Sequence, residues 1–349
     1  MSNPLPYLSI VLAGRNDNYG GDFEERFSLC VQWLCKMLGK HRINCELLIV
    51  NYNPVADRPS LEKLIPTDFN REYVSIRLIT VSNEVHQSIL SRRIFQPLPF
   101  LEYMAKNTGI SRAKGEFILV MNPDIIIHPA VFKIIAEKQL VSGKFYRVDR
   151  YDYHKPAAIN LQQEEKVITQ LTGLSFKMHV EGRSVDFAFK NFFALRVYRK
   201  LNTWYNKWKI YINYYKSVFN PWYYPRFLLQ PELMWHCNAS GDFMLMHRND
   251  WHTLNGYSEQ NYLPLHVDAL LVVKAGAAGI YQQTFLQPVF HQEHERRYEH
   301  QNRNAEMNRA YDNYYNAAND MMRHSWQSIY YIKNENWGLS NLQLPETYL

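Results

Sequence analysis

Gly115-Glu-Phe-Ile-Leu-Val-Met-Asn-Pro-Asp124 is the stretch that decides the fold. Its five consecutive apolar residues, Phe117 to Met121, are typical of a strand that is buried on both faces in the centre of a sheet. Pro123 has no backbone N–H to donate, so the strand ends there. Asp124 is therefore predicted at the carboxyl edge of the sheet, where open α/β folds bind ligands. A carboxylate at this place suits a divalent cation, which can in turn bind a diphosphate.

Length and composition indicate a globular protein with a sizeable core. The chain has 349 residues, of which 46% are hydrophobic and 21% charged. It has no apolar run long enough for a transmembrane helix, no secretory signal at its start, and four cysteines without a CxxC pair. These features predict a cytoplasmic protein. The net charge of +6 suits an anionic substrate or peripheral contact with the inner face of a membrane, and does not by itself imply nucleic acid.

Alternating strands and helices are predicted over the first 139 residues. Asp22 is a suitable N-cap for the first helix, Gly39 a suitable stop, and Pro129 opens a later helix. This alternation predicts an α/β fold with a mostly parallel, twisted sheet and helices on both faces. The predicted strands are 7–13, 45–50, 74–81 and the stretch that ends at Asn122, and the predicted helices are 23–38, 99–112 and one from Pro129.

The middle of the chain differs in composition. Residues 187–229 interleave aromatic and basic side chains, as in Pro221-Trp-Tyr-Tyr-Pro225. The simpler interpretation is one or two helices that pack on the sheet with Lys and Arg stems along its surface. The alternative is a surface that contacts a membrane interface, a sugar or a lipid-linked acceptor. The chain divides into four predicted parts: 1–139, an aromatic-rich helical insert at 140–231, 232–295, and a polar C-terminal extension at 296–349.

Regular structure is predicted to resume at Glu232. The pattern predicts a strand at 242–247, helices at about 249–255 and 265–278, and a strand at 285–290. The segment from His291 is polar, and it is predicted to be either a helix that packs on the domain or a loosely ordered tail.

Polar clusters follow several of these strands. The turn Arg15–Asp22 comes after the first strand and matches neither a GxGxxG loop nor a P-loop, so by itself it is an ordinary polar turn. Asn107 and Arg112 stand near the end of the helix before Asp124, and Arg112 is a candidate phosphate ligand. Lys114 is better explained as a cation at a helix C-terminus.

Two further clusters carry carboxylates and histidines. Asp242 and Asp268 are candidates for binding or deprotonating a sugar hydroxyl, although a turn residue and a helix N-terminal carboxylate would look the same. His291 and His294 follow a strand and are close enough to share a metal if the segment is turned. A pair of histidines more often belongs to a solvated surface. Asp124 alone, however, would give a cation too few ligands, so a second ligand is needed.

Taken in order, these clusters resemble a GT-A-fold glycosyltransferase, close to family 2 of that class. The resemblance covers roughly 7–139 and 232–295. The stretch from Asn107 to Glu116 follows the family pattern Asn-x-Gly-x-x-x-Ala-x-Gly-Glu, and Asn122-Pro-Asp124 stands where the family has its Asn-or-Asp–x–Asp motif. Leu254-Asn-Gly-Tyr-Ser-Glu259 resembles the Gly-Gly-Phe-Asp-Glu region, and His266-Val-Asp268 aligns with the Glu-Asp pair.

The resemblance implies a metal-dependent, inverting transfer of a sugar from a nucleotide-diphosphate donor to a glycan, lipid-linked or other hydroxyl acceptor, as in polysaccharide biosynthesis. It implies Mn²⁺ or Mg²⁺ as cofactor and Asp268 as catalytic base, with Asp242 placing an acceptor or donor hydroxyl. Asp124 is the expected ligand of the metal and its diphosphate, with His291 and His294 as further candidate ligands. The expected donor-binding residues are Ala13, Arg15, Asn16, Asp17, Asn51, Asn107, Arg112 and Asn122.

The chain departs from the family pattern at three positions: Asn122 replaces the first acidic residue of the metal motif, Val267 replaces the Glu of the Glu-Asp pair, and Asn51 ends the second strand where many members have Asp. Two other classes remain open, a nucleotidyltransferase that makes sugar nucleotides and a non-catalytic carbohydrate-binding protein of the same fold. No RNP-like or zinc-knuckle motif is present, so a nucleic-acid partner is not expected.

Overall fold

The computed structural model describes residues 5–156, 158–180, 183–186, 192–219, 231–260, 263–294, 304–330 and 335–349. The predicted aromatic stretch at 221–225, Glu295 and residues 296–303 lie outside these ranges. Within them, no helix combines the length and apolar character needed to span a membrane.

An eight-stranded mixed sheet forms the centre of the molecule. Its strands, in spatial order, are β11 (Tyr281–Thr284), β6 (Lys144–Arg147), β10 (Met244–His247), β4 (Phe117–Met121), β1 (Leu8–Gly14), β2 (Cys45–Tyr52), β3 (Val74–Val81) and β13 (Glu346–Tyr348). The four strands β4, β1, β2 and β3 are parallel neighbours, whereas β10 and β13 run antiparallel to theirs. The predicted α/β fold with a parallel centre is therefore confirmed.

Helices cover both faces of this sheet. Successive side chains of β4 point alternately into two cores, with Phe117 and Leu119 in one and Ile118 and Val120 in the other. The first core includes α1 (Phe23–Lys40), α4 (Pro129–Ala136) and α5 (Glu164–Leu174); the second includes α3 (Glu102–Ile110), α8 (Arg248–Leu254), α9 (Val267–Ala277) and α10 (Asn304–His324). The described helices also comprise α2 (Asn83–Leu90), α6 (Phe192–Phe219) and α7 (Pro231–Met234).

A second, five-stranded sheet lies beside the first. Its strands, in spatial order, are β5 (Ile125–Ile127), β12 (Val289–Gln292), β7 (Arg150–Tyr153), β8 (Ser175–Val180) and β9 (Arg183–Asp186). Because β5 follows β4 after only three residues, the chain passes from one sheet to the other at Asp124. This crossing places Asp124 where the two sheets meet.

The segment at 140–231 contains more strand than the sequence pattern predicts. Strand β6 belongs to the main sheet and β7, β8 and β9 to the second sheet, so the described part of this segment is helical only at α5, α6 and α7. The sequence pattern does not reveal these short strands, because they carry charged residues where a buried strand usually has apolar ones. Arg147 and Asp152, for example, are buried and satisfied by hydrogen bonds and ion pairs.

Two other predictions change in detail. The strand expected at 285–290 begins only at Val289, the first residue of β12, because residues 285–288 connect β11 to β12 and Pro288 among them has no N–H to pair. Of the two alternatives for the C-terminal segment, a packed helix is correct for 304–324, since α10 buries Tyr314 and Met321 in the second core.

The Asn-x-Gly-x-x-x-Ala-x-Gly pattern acts here as a packing device. A Cβ on Gly109 would lie 2.4 Å from Val11 Cγ1, and one on Gly115 would lie 2.4 Å from the backbone nitrogen of Ser9. Helix α3 and the start of β4 therefore approach β1 too closely for any side chain at these two positions. This close approach fixes the positions of α3 and of the start of β4 relative to β1.

We expect Gly109→Ala to destabilise the fold by about 1–3 kcal/mol, because the added methyl overpacks the contact with Val11. Gly173→Ala in α5 is the matched control, since nothing lies within 4 Å of its Cβ position. It should stabilise the helix by about 0.5–1 kcal/mol. Urea unfolding followed by circular dichroism measures both, and equal effects of the two changes would contradict the packing argument.

Candidate functional site

A cleft of about 640 Å³ opens at the carboxyl ends of β1 and β4. The turn after β1, the Asn122–Asp124 turn after β4, the start of α9 and the exposed edge of the second sheet form its walls. Nine of the residues predicted from sequence line it together: Ala13, Arg15, Asp17, Asn122, Asp124, Asp242, Asp268, His291 and His294. Asp124 and Asp268 therefore face the same cleft.

Strand pairing brings His291 to Asp124. Strand β5 starts directly after Asp124 and pairs with β12 so that Ile125 lies opposite His291. His291 Nε2 consequently lies 3.9 Å and His294 Nε2 3.3 Å from Asp124 Oδ2. One ligand atom from each of these three residues lies within 4.8 Å of the others, which is the spacing of a metal-binding group.

Asp152 orients the His291 ring from behind. Its Oδ1 lies 3.2 Å from His291 Nδ1, and its Oδ2 lies 2.7 Å from His179 Nε2. Burial would raise the pKa of Asp152, but hydrogen bonds from His179 and His291 and the charge of Arg150 outweigh it, so the pKa lies far below the ordinary value. A carboxylate on Nδ1 leaves Nε2 of His291 directed at Asp124, as in many metal sites.

Arg26 is the cationic partner of Asp124. Its Nη1 donates to Asp124 Oδ2 at 3.0 Å and its Nε to Asp22 Oδ1 at 2.8 Å. Burial would raise the pKa of Asp124, but the hydrogen bond from His294 and the charges of His291 and Arg26 lower it well below the ordinary value. These partners therefore favour the ionised form of Asp124.

The second oxygen of Asp124 fits a cation ligand. Oδ1 is buried and has no hydrogen-bond partner in the described part of the chain, which is costly for a charged oxygen unless something else satisfies it. The two imidazole donors fit Mg²⁺ less well, because Mg²⁺ prefers oxygen ligands. The donor set of Asp124, His291 and His294 thus fits a divalent metal ion.

Asn122 connects the metal-binding corner to the opposite wall. Its Oδ1 accepts from Lys106 Nζ at 2.6 Å, and its Nδ2 donates to Asp242 Oδ1 at 2.7 Å. Lys106 is fully buried and also donates to the Gly241 carbonyl at 2.9 Å. Arg150 Nη1 holds the other oxygen of Asp242 at 2.7 Å. An amide suits position 122 because it can accept from the lysine and donate to the carboxylate at the same time.

Asp268 lies in the first turn of α9. Its Oδ2 accepts the backbone N–H of Gly241 at 2.8 Å, which ties the helix to the turn that carries Asp242. Asp268 is partly exposed and lines the cleft, so its carboxylate is accessible to a bound molecule.

Two of the predicted donor-binding residues, Asn107 and Arg112, lie outside the cleft. Asn107 is buried and uses its amide to hold the backbone of Tyr257 in both directions, at 2.9 Å each. Arg112 donates to the carbonyls of Gly338, Leu339 and Leu342 and lines a different surface pocket. Neither residue lines the cleft, and the polar groups of both side chains bond to backbone atoms instead.

Two further predicted residues lie behind the cleft wall. Asn16 is buried and donates to Glu24 and to the Pro59 carbonyl. Asn51 is buried at the end of β2, beside Gly14 in the strand register. Neither of them is among the residues that line the cleft.

Sequence reasoning missed four charged residues of this site. Lys106 stands four positions after Glu102, which resembles an ordinary surface pair, and the other three fall in the segment assigned to an insert. The stretch Asp149-Arg-Tyr-Asp152 was the available sequence signal for a charged site. Acidic and basic side chains in a buried strand must be paired with an opposite charge. The missed residues are Lys106, Arg150, Asp152 and His179.

Comparison with known proteins gives little further information. No family model matches the chain, and no curated protein matches it. A crystal structure of S. aureus TarS, residues 1–349, matches with a TM-score of 0.41 and 10% sequence identity; the alignment covers 82% of this chain and 60% of that one. A similarity of this degree establishes neither a family nor an activity.

We expect Asn122→Asp to destabilise the protein by about 1–3 kcal/mol, because it removes the donor to Asp242 and sets two carboxylates against each other. Asn238→Asp is the matched control on the same cleft wall, since Asn238 donates to the Ser184 hydroxyl rather than to a carboxylate. Thermal unfolding compares the two. A variant at position 122 as stable as the wild type would show that the amide bridge has no structural role.

Proposed function

We propose that this protein is a metal-dependent, inverting glycosyltransferase of the GT-A type, resembling family 2, which transfers a sugar from a nucleotide-diphosphate donor to a hydroxyl acceptor. The observation that carries the proposal is the meeting of Asp124, its two histidines, Asp242 and Asp268 in one cleft at the carboxyl edge of a doubly covered sheet. Such a sheet edge is the usual ligand site of open α/β folds.

The charge of the cleft supports metal dependence. Three arginine or lysine side chains face it, Arg15, Arg150 and Lys177, but five carboxylates do so: Asp17, Glu102, Asp124, Asp242 and Asp268. A diphosphate would meet net negative charge there unless a cation accompanied it. Mn²⁺ or Mg²⁺ held by Asp124, His291 and His294 would supply this charge and so stabilise the leaving diphosphate.

The turn after β1 suits the nucleotide. Ala13, Arg15 and Asp17 line the cleft, and Arg15 is fixed by its bonds to Asp17 and to the Asn53 carbonyl. Phe100 and Phe23 line the same end and offer apolar faces to a base. This end of the cleft adjoins Asp124, as a base and ribose joined to a diphosphate require.

Asp268 is the proposed general base. Its Oδ2 receives one backbone hydrogen bond, which orients the carboxylate toward the cleft and leaves capacity to accept a proton from an acceptor hydroxyl. That hydroxyl would attack the anomeric carbon opposite the diphosphate, and a single displacement inverts the anomeric centre. Asp242, held by Asn122 and Arg150, is rigid enough to place a sugar hydroxyl by accepting from it.

The first test measures metal binding. Calorimetry with Mn²⁺ alone should detect one site in the wild type and none in Asp124→Asn. Asp152→Asn, which releases the His291 ring, should weaken binding by about 10–100-fold. Asp57→Asn changes an exposed aspartate outside the cleft and should have no effect. Unchanged affinity in Asp124→Asn would exclude the proposed metal ligand.

The second test measures transfer. With labelled UDP- and GDP-sugars, Mn²⁺ and a panel of sugar acceptors, Asp268→Asn should bind donor as the wild type does but turn over about 10²–10⁴-fold more slowly. Asp250→Asn is the control, because Asp250 also accepts a backbone N–H at 2.8 Å but lies outside the cleft.

Three outcomes would reject the proposal in different ways. Full turnover in Asp268→Asn would remove the base. Turnover of nucleoside triphosphate with a sugar phosphate would indicate the nucleotidyltransferase alternative. Sugar binding in the wild type without donor binding or turnover would indicate the non-catalytic alternative. The cytoplasmic location remains a prediction that fractionation of cells would test.

A further inference from the structure

The turn after β1 lies against His294. The edge of one ring meets the face of the other between Tyr19 and His294, with the two ring centroids 5.0 Å apart. A Cβ on Gly20 would lie 2.7 Å from His294 Nδ1 and 2.8 Å from its Cγ, well inside the separation that non-bonded atoms prefer. The bare backbone of Gly20 is therefore the surface on which the imidazole rests.

Strand pairing fixes His291 but does not extend to His294. His291 lies in β12, in register with Ile125 of β5 and Asp152 of β7. Strand β12 ends at Gln292, two residues before His294. Contacts from outside the strand, such as those of Tyr19 and Gly20, therefore contribute to the position of the His294 ring.

Arg26 holds the turn in this place. Its guanidinium donates to the Tyr19 carbonyl, to Asp22 Oδ1 at 2.8 Å and to Asp124 Oδ2 at 3.0 Å. The other oxygen of Asp22 accepts from Gln292 Nε2 at 2.8 Å, which ties the end of the turn to β12. Moving the turn away from the metal-binding group would break these charge-assisted hydrogen bonds of a buried cation.

Gly20 and its neighbour Gly21 differ in their surroundings. Both have a positive φ, +71° and +92°, a region that glycine adopts without the steric cost other residues meet. In the described part of the chain, nothing lies within 4 Å of a Cβ on Gly21. Backbone conformation thus explains a glycine at both positions, and the contact with His294 distinguishes Gly20.

A methyl group at position 20 would displace the imidazole. The same Cβ position lies 2.9 Å from Arg26 Nη2, so two side chains compete for the space. Arg26 is held by three oxygen acceptors, and moving it would weaken all three hydrogen bonds. The His294 ring is therefore the group that gives way.

We propose that Gly20 is a positioning residue for His294. Its missing side chain, together with the Tyr19 ring, places the imidazole beside Asp124, and a side chain at position 20 moves it out of the metal-binding group. The inference rests on the metal site of the proposed function. Because the same turn carries Arg15 at the proposed nucleotide end, it connects that end of the cleft to a metal ligand.

Calorimetry with Mn²⁺ alone tests the proposal. Gly20→Ala should weaken binding by about 10–100-fold, the usual effect of releasing a metal-ligating histidine from its support. Gly21→Ala is the matched control, because it also places alanine at a positive φ but makes no contact with His294, and it should bind Mn²⁺ as the wild type does. Tyr19→Leu keeps Gly20 and removes the ring contact, so it should weaken binding by about 2–10-fold.

A double-mutant cycle separates the imidazole from the rest of the turn. Gly20→Ala added to His294→Ala should cost no further Mn²⁺ affinity, because the group that it displaces is already absent. If the loss persists in full in the His294→Ala background, position 20 acts through Arg26 or through backbone strain, and the proposal is overturned. Equal affinity of the wild type, Gly20→Ala and Tyr19→Leu would overturn it as well.

A crystal structure of metal-free Gly20→Ala gives a readout that does not depend on the metal. The His294 ring should move by roughly 1 Å, since non-bonded carbon atoms prefer a separation of about 3.5–4.0 Å. An unmoved ring would overturn the proposal whether or not Mn²⁺ binds. A displaced ring in a protein whose wild type binds no Mn²⁺ would support the contact with Gly20 and reject the metal site of the proposed function, so the two failures are distinguishable.

Discussion

The structure of the cleft depends on matching buried carboxylates with cations. Asp124, Asp152 and Asp242 all lie where water is scarce, and each one is held by an arginine or a histidine within hydrogen-bond distance. Removing one partner would leave an uncompensated buried charge, which costs far more than an ordinary surface ion pair is worth. Separating these charges would cost several kcal/mol of free energy, so the paired groups hold the wall of the cleft in place.

This network joins the two sheets. Asp124 and His291 meet because β5 leaves the main sheet and pairs with β12, and His291 is in turn held by Asp152 of β7. On the other side of the cleft, Asn122 links Lys106 of α3 to Asp242, since it accepts from the lysine and donates to the carboxylate. The unsatisfied Oδ1 of Asp124 lies in the midst of these fixed groups. A site with one unsatisfied anionic atom and rigid neighbours is prepared for a cation and the anion that it carries.

The same motif can serve packing and chemistry at once. Gly109 and Gly115 bring α3 and β4 against β1, while Asn107 holds the Tyr257 backbone. None of these residues touches the cleft, yet together they set the position of Asp124 and of Lys106, one residue before Asn107. A sequence pattern that suggests ligand binding can thus mark the scaffold that positions the ligand-binding residues.

The sequence by itself determined the centre of the fold and the position of Asp124. Five apolar residues with Pro123 two positions after them predict a central strand that ends there, and the alternation of strands and helices predicts covered parallel strands. Only the tertiary structure decided which polar residues face the cleft. Asn107 and Arg112 looked like ligands but serve backbone carbonyls and amides, whereas Arg150 and His179 looked like an insert but line the site. The physical reason is that a polar side chain takes its role from the atoms that surround it, and those atoms come from distant strands whose pairing no local pattern records.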